Sequence, residues 1–407
     1  METLVSEVLA STQILDIHTH LFAPHFGSIG LWGIDELLTY HYLEAEIFRF
    51  TTMSPAEYWS LNKQQQADHI WQKLFVENSP LSEATRGVVA VLQALGLQTY
   101  TPDLTTQRAF FREQKIEDYF KRVFQLAGIS AVVMTNDPLD PAEAAVWNQG
   151  HPPNPYFKPV LRLDRILNDW HKNYDVMVKQ GYKVDKDATG SSQAEARRFV
   201  MDWAAKMKPV YMAVSLEDMF LYPADDVRTR LLKHAILPAC RELGIPLSLM
   251  IGVRRQVNPA LKLGGDGVGI ADLRAVEHLC REFPDNRFLI SVLSRENQHE
   301  LVVYARKFAN LMPFGCWWFL NNPSIVEEMT RERMEMLGPS FIPQHSDARI
   351  LEQVIYKWRN TRRIMASVLG NSYKLLAEDG RPVTREQVTR DVKMLFQTNF
   401  ERFVSGK

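Results

Sequence analysis

The chain has 407 residues, with 47 Lys and Arg against 48 Asp and Glu and a formal net charge of -1. No global field draws it to nucleic acid or anionic lipid, so its partner is small or locally recognised. Hydrophobic residues at 46% and charged residues at 23% exclude a disordered chain, and at about 150 residues per domain the length fits two or three domains or one large barrel with insertions.

The elements follow in chain order. A first apolar strand is expected at 14–20. The next strand signal, 130–134, lies about 100 residues on, too far for an ordinary βα connection, so 22–128 is read as an inserted helical subdomain, with a helix-like pattern at 35–48 and an N-cap and N1 pair at Ser54 and Pro55. Further strands are expected at 159–163, 210–216, 246–251, 287–293, 310–317 and 341–345. Helical patterns separate the later ones, at 227–243, 270–282, 298–308 and 323–337, the last with Asn322 as N-cap, Pro323 at N1 and Gly338 beyond its end. Another helix is expected at 348–369 and a helical tail at 384–403. Strand and helix in alternation predict an α/β fold, a (β/α)8 TIM-like barrel with a helical insertion after strand 1 and a C-terminal helical extension. The divisions are 1–21, first strand; 22–128, insertion; 129–407, the remaining barrel with its C-terminal helices.

Cys240, Cys280 and Cys316 form no CxxC pair, and an odd number argues against a disulfide framework. The N-terminus lacks a basic n-region and no run of 18 apolar residues occurs. A soluble, cytoplasmic protein with no membrane segment is expected.

Asp16-Ile17-His18-Thr19-His20 is the sharpest motif. Residues two apart on a strand share a face, and at a strand's C-terminal end both imidazoles reach the barrel mouth, making half of a zinc site. The bland alternative is two half-buried histidines bonded to backbone. Gln344-His345-Ser346-Asp347-Ala348-Arg349 ends the expected eighth strand, which neighbours the first in a closed barrel. Asp347 there supplies a hard oxygen ligand, a general base, or merely the N-cap of the helix expected at 348–369. Arg349 brings a cation to the same mouth. No histidine follows strands five or six and no lysine lies on strand four, so one metal is expected rather than two.

With these residues the chain resembles the shorter, divergent branch of the uronate isomerases in the amidohydrolase superfamily. Asp16 to Phe22, Asp35 to Tyr42, Met134 to Pro138, Ser294 to Glu300, Gly315 to Trp318 and Gln344 to Arg349 carry the likeness. It implies interconversion of D-glucuronate with D-fructuronate and of D-galacturonate with D-tagaturonate through a cis-enediol. It matches His18, His20 and Asp347 to the site of one divalent metal, zinc with manganese as the alternative. Asp347 would also assist proton abstraction together with a substrate hydroxyl. Tyr42 matches the oxygen-to-oxygen proton shuttle, with His41 beside it. Taken alone, Tyr42 reads as an amphipathic ring on a helix face.

Arginine suits a uronate carboxylate because its planar fork binds both oxygens. Arg162, Arg349 and Arg295 are the candidates, although Arg162 also reads as a strand-end partner of Asp164. The glycine-rich 263–269 is read as a mobile active-site loop or a simple connector, not a dinucleotide site, because it does not follow directly on a strand. Cys316 is read as an inert buried thiol. The competing functions are a mononuclear metal-dependent hydrolase acting on a lactone or amide, and a barrel that only binds sugar acids. The expected partner is a small hexuronate, with homo-oligomerisation open.

Overall fold

The computed structural model describes residues 1–406. Its sheet runs β1 (Ile14–Thr19), β2 (Ile129–Asn136), β3 (Phe157–Arg162), β4 (Met212–Glu217), β5 (Leu247–Arg254), β7 (Phe288–Val292) and β8 (Leu311–Pro313) in spatial order, all parallel, while the two-residue β6 (Gly267–Val268) pairs antiparallel with β5. The strands are short and β-branched or aliphatic, and β5 and β7 are buried almost throughout because helices cover one face and the barrel interior the other. Leu15, Ile17, Ala131, Val133, Val160, Ala213, Met250 and Leu289 meet as that interior layer.

The expected eighth strand is an extended segment held by few ladder bonds. Ile342 pairs with Phe314, and Gly315 N–H donates to Ile342 O at 2.9 Å. Further along, Asp347 N–H donates to His18 O at 3.1 Å and His20 N–H to Ala348 O at 2.8 Å. The segment thus lies between β8 and β1 and closes a TIM-like (β/α)8 barrel. Its ladder is sparse for chemical reasons. Pro343 has no N–H, and the N–H groups of His345 and Ser346 are taken by the side chains of Gln344 and Asp16.

Seven α-helices lie between β1 and β2, from Ile34–Leu38 to Ile116–Ala127. The insertion does not own a separate core, because its Tyr58, Trp71, Val91 and Phe124 pack in one cluster with Ile14 of β1 and with Val354 and Trp358 of the helix Gln353–Glu378. Ser54 caps Pro55–Ser60 in a reciprocal capping box with Glu57. The single helix expected at 35–48 is instead two short ones, Ile34–Leu38 and His41–Glu46, broken where Tyr40 is extended. That break sets the direction of His41 and Tyr42. Asn322 caps Pro323–Leu337 as expected. The helix expected from 348 begins only at Gln353, with Glu352 in the N-cap position, so Asp347 is not a helix cap. The tail forms Arg385–Lys393 and Asn399–Ser405 around a π turn. Among the described residues no helix is long and apolar enough to cross a membrane.

Candidate active site

Leu15 and Ile17 alternate into the barrel interior, and by simple alternation His18 would turn away from it. A register irregularity between Asp16 and Thr19 interrupts the alternation, and His18 and His20 follow it with their Nε2 atoms toward Asp347. His20 Nε2 lies 3.3 Å from Asp347 Oδ1 and His18 Nε2 lies 3.8 Å from it. The three ligand atoms all fall within 4.8 Å of one another.

Two neighbours fix which ring nitrogens carry protons. Tyr211 donates its hydroxyl to Ile17 O at 2.7 Å, so the phenol oxygen, 3.0 Å from His18 Nδ1, accepts from that nitrogen. Thr135 likewise donates to Thr19 O at 3.0 Å and accepts from His20 Nδ1 at 3.0 Å. Both Nε2 atoms are therefore left as lone-pair donors aimed at the same point. Burial pushes the His18 imidazole down to about 3 and His20 well below its usual value, which keeps both rings neutral. Tyr211 and Thr135 were not recognised from the sequence. Thr135 lies inside the Met134 to Pro138 block with no role assigned to it, and Tyr211 lies in the strand expected at 210–216 with no motif around it.

Asp347 has a left-handed φ of 51°, which aspartate tolerates better than most residues. Asp16 supports this turn by accepting Ser346 N–H at 3.0 Å and Trp358 Nε1–H at 2.8 Å. Asp347 Oδ1 is buried and has no hydrogen-bond partner in the protein. Neutral imidazole, neutral imidazole and an unsatisfied carboxylate oxygen are a donor set that suits a divalent cation.

His41 and Tyr42 open the short helix that follows the Tyr40 break, and their rings meet edge to face at 4.6 Å. Burial lowers the His41 pKa to about 3, and its Nε2 has no partner. Burial raises the Tyr42 phenol well above its usual value, with Tyr40 and Asp347 adding to the effect. It therefore holds its proton at rest. The loop around Pro259–Gly265 covers this helix so closely that a Cβ at Gly264 would lie 3.0 Å from His41 O, and Trp59 Nε1–H ties the loop down at Ala260 O. The glycine-rich stretch is thus a roof of the mouth.

The three arginines fare differently. Arg349 makes no ion pair among the described residues, and its charge acts on His18, His20 and His41. Arg162 is half-buried on a cavity of about 740 Å³ and pairs with Asp164 through Nε at 2.9 Å and Nη2 at 3.0 Å, leaving Nη1 outside that pair. Asp164 foremost raises its pKa. Arg295 is not brought to the cluster. It is exposed and pairs with Glu328 at 2.7 Å, in a surface groove shared with His299. Its sequence position just after β7 gave no warning that the chain turns outward there. Cys316 is fully buried, and burial pushes its thiol up to about 11, which makes it a packing residue.

No sequence-family profile matches the chain, and no curated protein does. Among solved structures it is similar to a uronate isomerase from Bacillus halodurans C-125, with 51% identity, 99% of this chain and 96% of that one covered, and a TM-score of 0.97. A uronate isomerase from Thermotoga maritima is 16% identical over 99% of this chain and 96% of that one, with a TM-score of 0.78. A glucuronate isomerase from Caulobacter crescentus is 13% identical over 99% and 93%, with a TM-score of 0.73. The last two likenesses speak to the fold alone.

Proposed function

The chain belongs to the uronate isomerase family and is an isomerase, and from that premise we propose that it interconverts D-glucuronate with D-fructuronate and D-galacturonate with D-tagaturonate through a cis-enediol. The observation that carries the reading is the convergence of His18 Nε2, His20 Nε2 and the unpartnered Asp347 Oδ1, near enough to Tyr42 and to Arg349 to act on them, Arg349 having no ion pair among the described residues. One divalent metal fits this donor set, zinc first and manganese second. When bound it would polarise and orient the oxygens of the sugar acid.

The chain's own residues account for the proton traffic. With Oδ1 in the metal donor set, Asp347 is left with Oδ2, to which no protein group donates among the described residues, as the base for the proton at C2, acting together with a substrate hydroxyl. Tyr42, protonated at rest, donates to the enediolate oxygen and recovers a proton from its neighbour. A buried neutral His41 offers Nε2 to the same end of the substrate. Arg349 is the stronger clamp for the carboxylate because its fork is free, and Arg162 adds the nitrogen that Asp164 leaves unused.

A mononuclear hydrolase would use the same donor set but would have no need of Tyr42 or of an unpaired arginine. Incubation with D-glucuronate in heavy water separates the two: ketose formation with some solvent deuterium at C1, where the proton taken from C2 is delivered, supports isomerisation. Hydrolysis of a lactone or amide without ketose would sink it. Asp347→Asn should lose C2 exchange and conversion together, by about 10²-fold or more, whereas Tyr42→Phe should keep more exchange than net conversion. The reverse pattern would make the tyrosine the base.

A further inference from the structure

The helix Gln353–Glu378 leaves the Asp347 turn already anchored. Gln353 Oε1 accepts the N–H groups of Arg349 and Ile350 at 2.9 and 3.2 Å, and Trp358 donates to Asp16. The Tyr356 ring lies so close to Gly87 that a Cβ there would come within 2.7 Å of it. Lys357 sits between these anchors and is only 4% exposed. Among the described residues it forms no ion pair, and its Nζ has no hydrogen-bond partner. It faces aromatic rings instead, 5.9 Å from the centroid of Tyr42 and 5.5 Å from that of Tyr356. The nearby acid, Glu83, is itself pushed up by burial, with Lys357 foremost among the groups that oppose the push.

An ammonium on a largely buried side chain, held among aromatic rings with no carboxylate within ion-pair distance, gives up part of its hydration, so a sequence that keeps one has a use for it. The proposed chemistry supplies that use. When Tyr42 acts, its O–H bond breaks, an O–H bond forms on the enediolate oxygen, and a phenolate remains until a proton returns from the other oxygen. That anion forms where burial already opposes it, and Lys357 is a fixed cation against the same ring. Water would have to reorganise to provide the same field, whereas this charge is in place beforehand.

We propose that Lys357 is a positioning residue for the transfer between the two oxygens, its ammonium holding the charge left on Tyr42 when the phenol gives up its proton. This role rests on the isomerase reading of the site. It gives Lys357 an effect on turnover and little effect on binding, because the charge it answers exists only during the reaction.

The test uses the full-length, metal-loaded enzyme. Lys357→Met, with Lys357→Gln as a second uncharged variant, should lower kcat about tenfold to a hundredfold while leaving KM within about threefold. The thermal midpoint should hold, since no ion pair or hydrogen bond of the ammonium is broken. Exchange of the C2 proton with solvent should survive better than net conversion, and Lys357→Arg should restore part of the loss. In a Tyr42→Phe background, Lys357→Met should add little, because the charge it serves no longer forms. The same kcat loss in that background would overturn the role, as would a fall in thermal midpoint that tracks kcat, or a rise in KM alone. Wild-type enzyme that forms no ketose would overturn the isomerase reading and this role with it. Active wild type with additive variants would overturn Lys357 alone.

Discussion

Along the β2 to β5 side of the barrel mouth four cations have acidic partners, Arg162 with Asp164, Arg165 with Asp137 and Asp140, Lys172 with Asp169, and Arg255 with Asp266, while Lys262 lies over the Trp59 ring. Where β1 meets the segment 341–348, polar groups are left open instead. Among the described residues Asp347 Oδ1, His41 Nε2 and both nitrogens of His345 have no partner, and Arg349 and Lys357 have no ion pair. Partly exposed pairs contribute little net energy, about 0–1 kcal/mol each, but they fix the shape of a wall. A buried polar atom left unsatisfied costs about 1–3 kcal/mol, so several of them in one place mark where a ligand is meant to bind. The β2 to β5 side leaves the amide oxygens of Asn136 and Asn168 unpartnered, but among the described residues no buried carboxylate or imidazole there is left so, and that side is mainly a wall while the other is held ready for chemistry.

The largest effect should come from breaking the open side. His18→Ala with His20→Ala should abolish stoichiometric metal, read by elemental analysis of the purified protein. A double variant that still carries one equivalent would mean the metal sits elsewhere. Tyr211→Phe removes only the oxygen that fixes the His18 tautomer and should weaken metal affinity about 10–100-fold in a chelator competition, the range for a group that orients a ligand. Unchanged affinity would show that the ring is oriented by packing alone.

Arginine substitutions on the two sides sharpen the contrast. Arg349→Met should cost roughly 1.5–3 kcal/mol in uronate kcat/KM, as for hydrogen bonds to a charged group, with the thermal midpoint unchanged. Arg162→Met should show up in stability as well, because Asp164, itself largely buried, loses both bonds. Equal losses of stability in both variants would erase the distinction between wall and site.

The smallest effect concerns the wall. Burial pushes Glu143 up to about 7 although its oxygen accepts Asn136 and Asp137 N–H groups at 3.0 Å. A carboxyl held above its unfolded value of about 4.5 binds its proton more tightly when folded. Its contribution is present below that value and is lost as pH rises through about 7. Denaturant titrations at pH 5 and 8 should therefore differ less for Glu143→Gln than for wild type, by on the order of 1 kcal/mol. An identical pH slope in the two proteins would remove Glu143 as its source.

What the sequence determined alone was what short-range chemistry can encode. Apolar β-branched runs between capped helices gave the barrel, Ser54 and Asn322 marked helix starts, and the HxH spacing with the later Asp347 gave the three ligand candidates, since residue type and spacing set backbone preference and donor chemistry. Only the tertiary structure decided the rest. The register irregularity that turns His18 inward depends on pairing with β2, and the Tyr40 break depends on where the insertion packs. The tautomers of His18 and His20 depend on Tyr211 and Thr135, which lie over a hundred positions away in the chain. Arg349 is free, Arg162 half-engaged and Arg295 turned outward, although as residue types they are the same. Which guanidinium meets a carboxylate is settled by long-range neighbours, and local pattern carries no record of them.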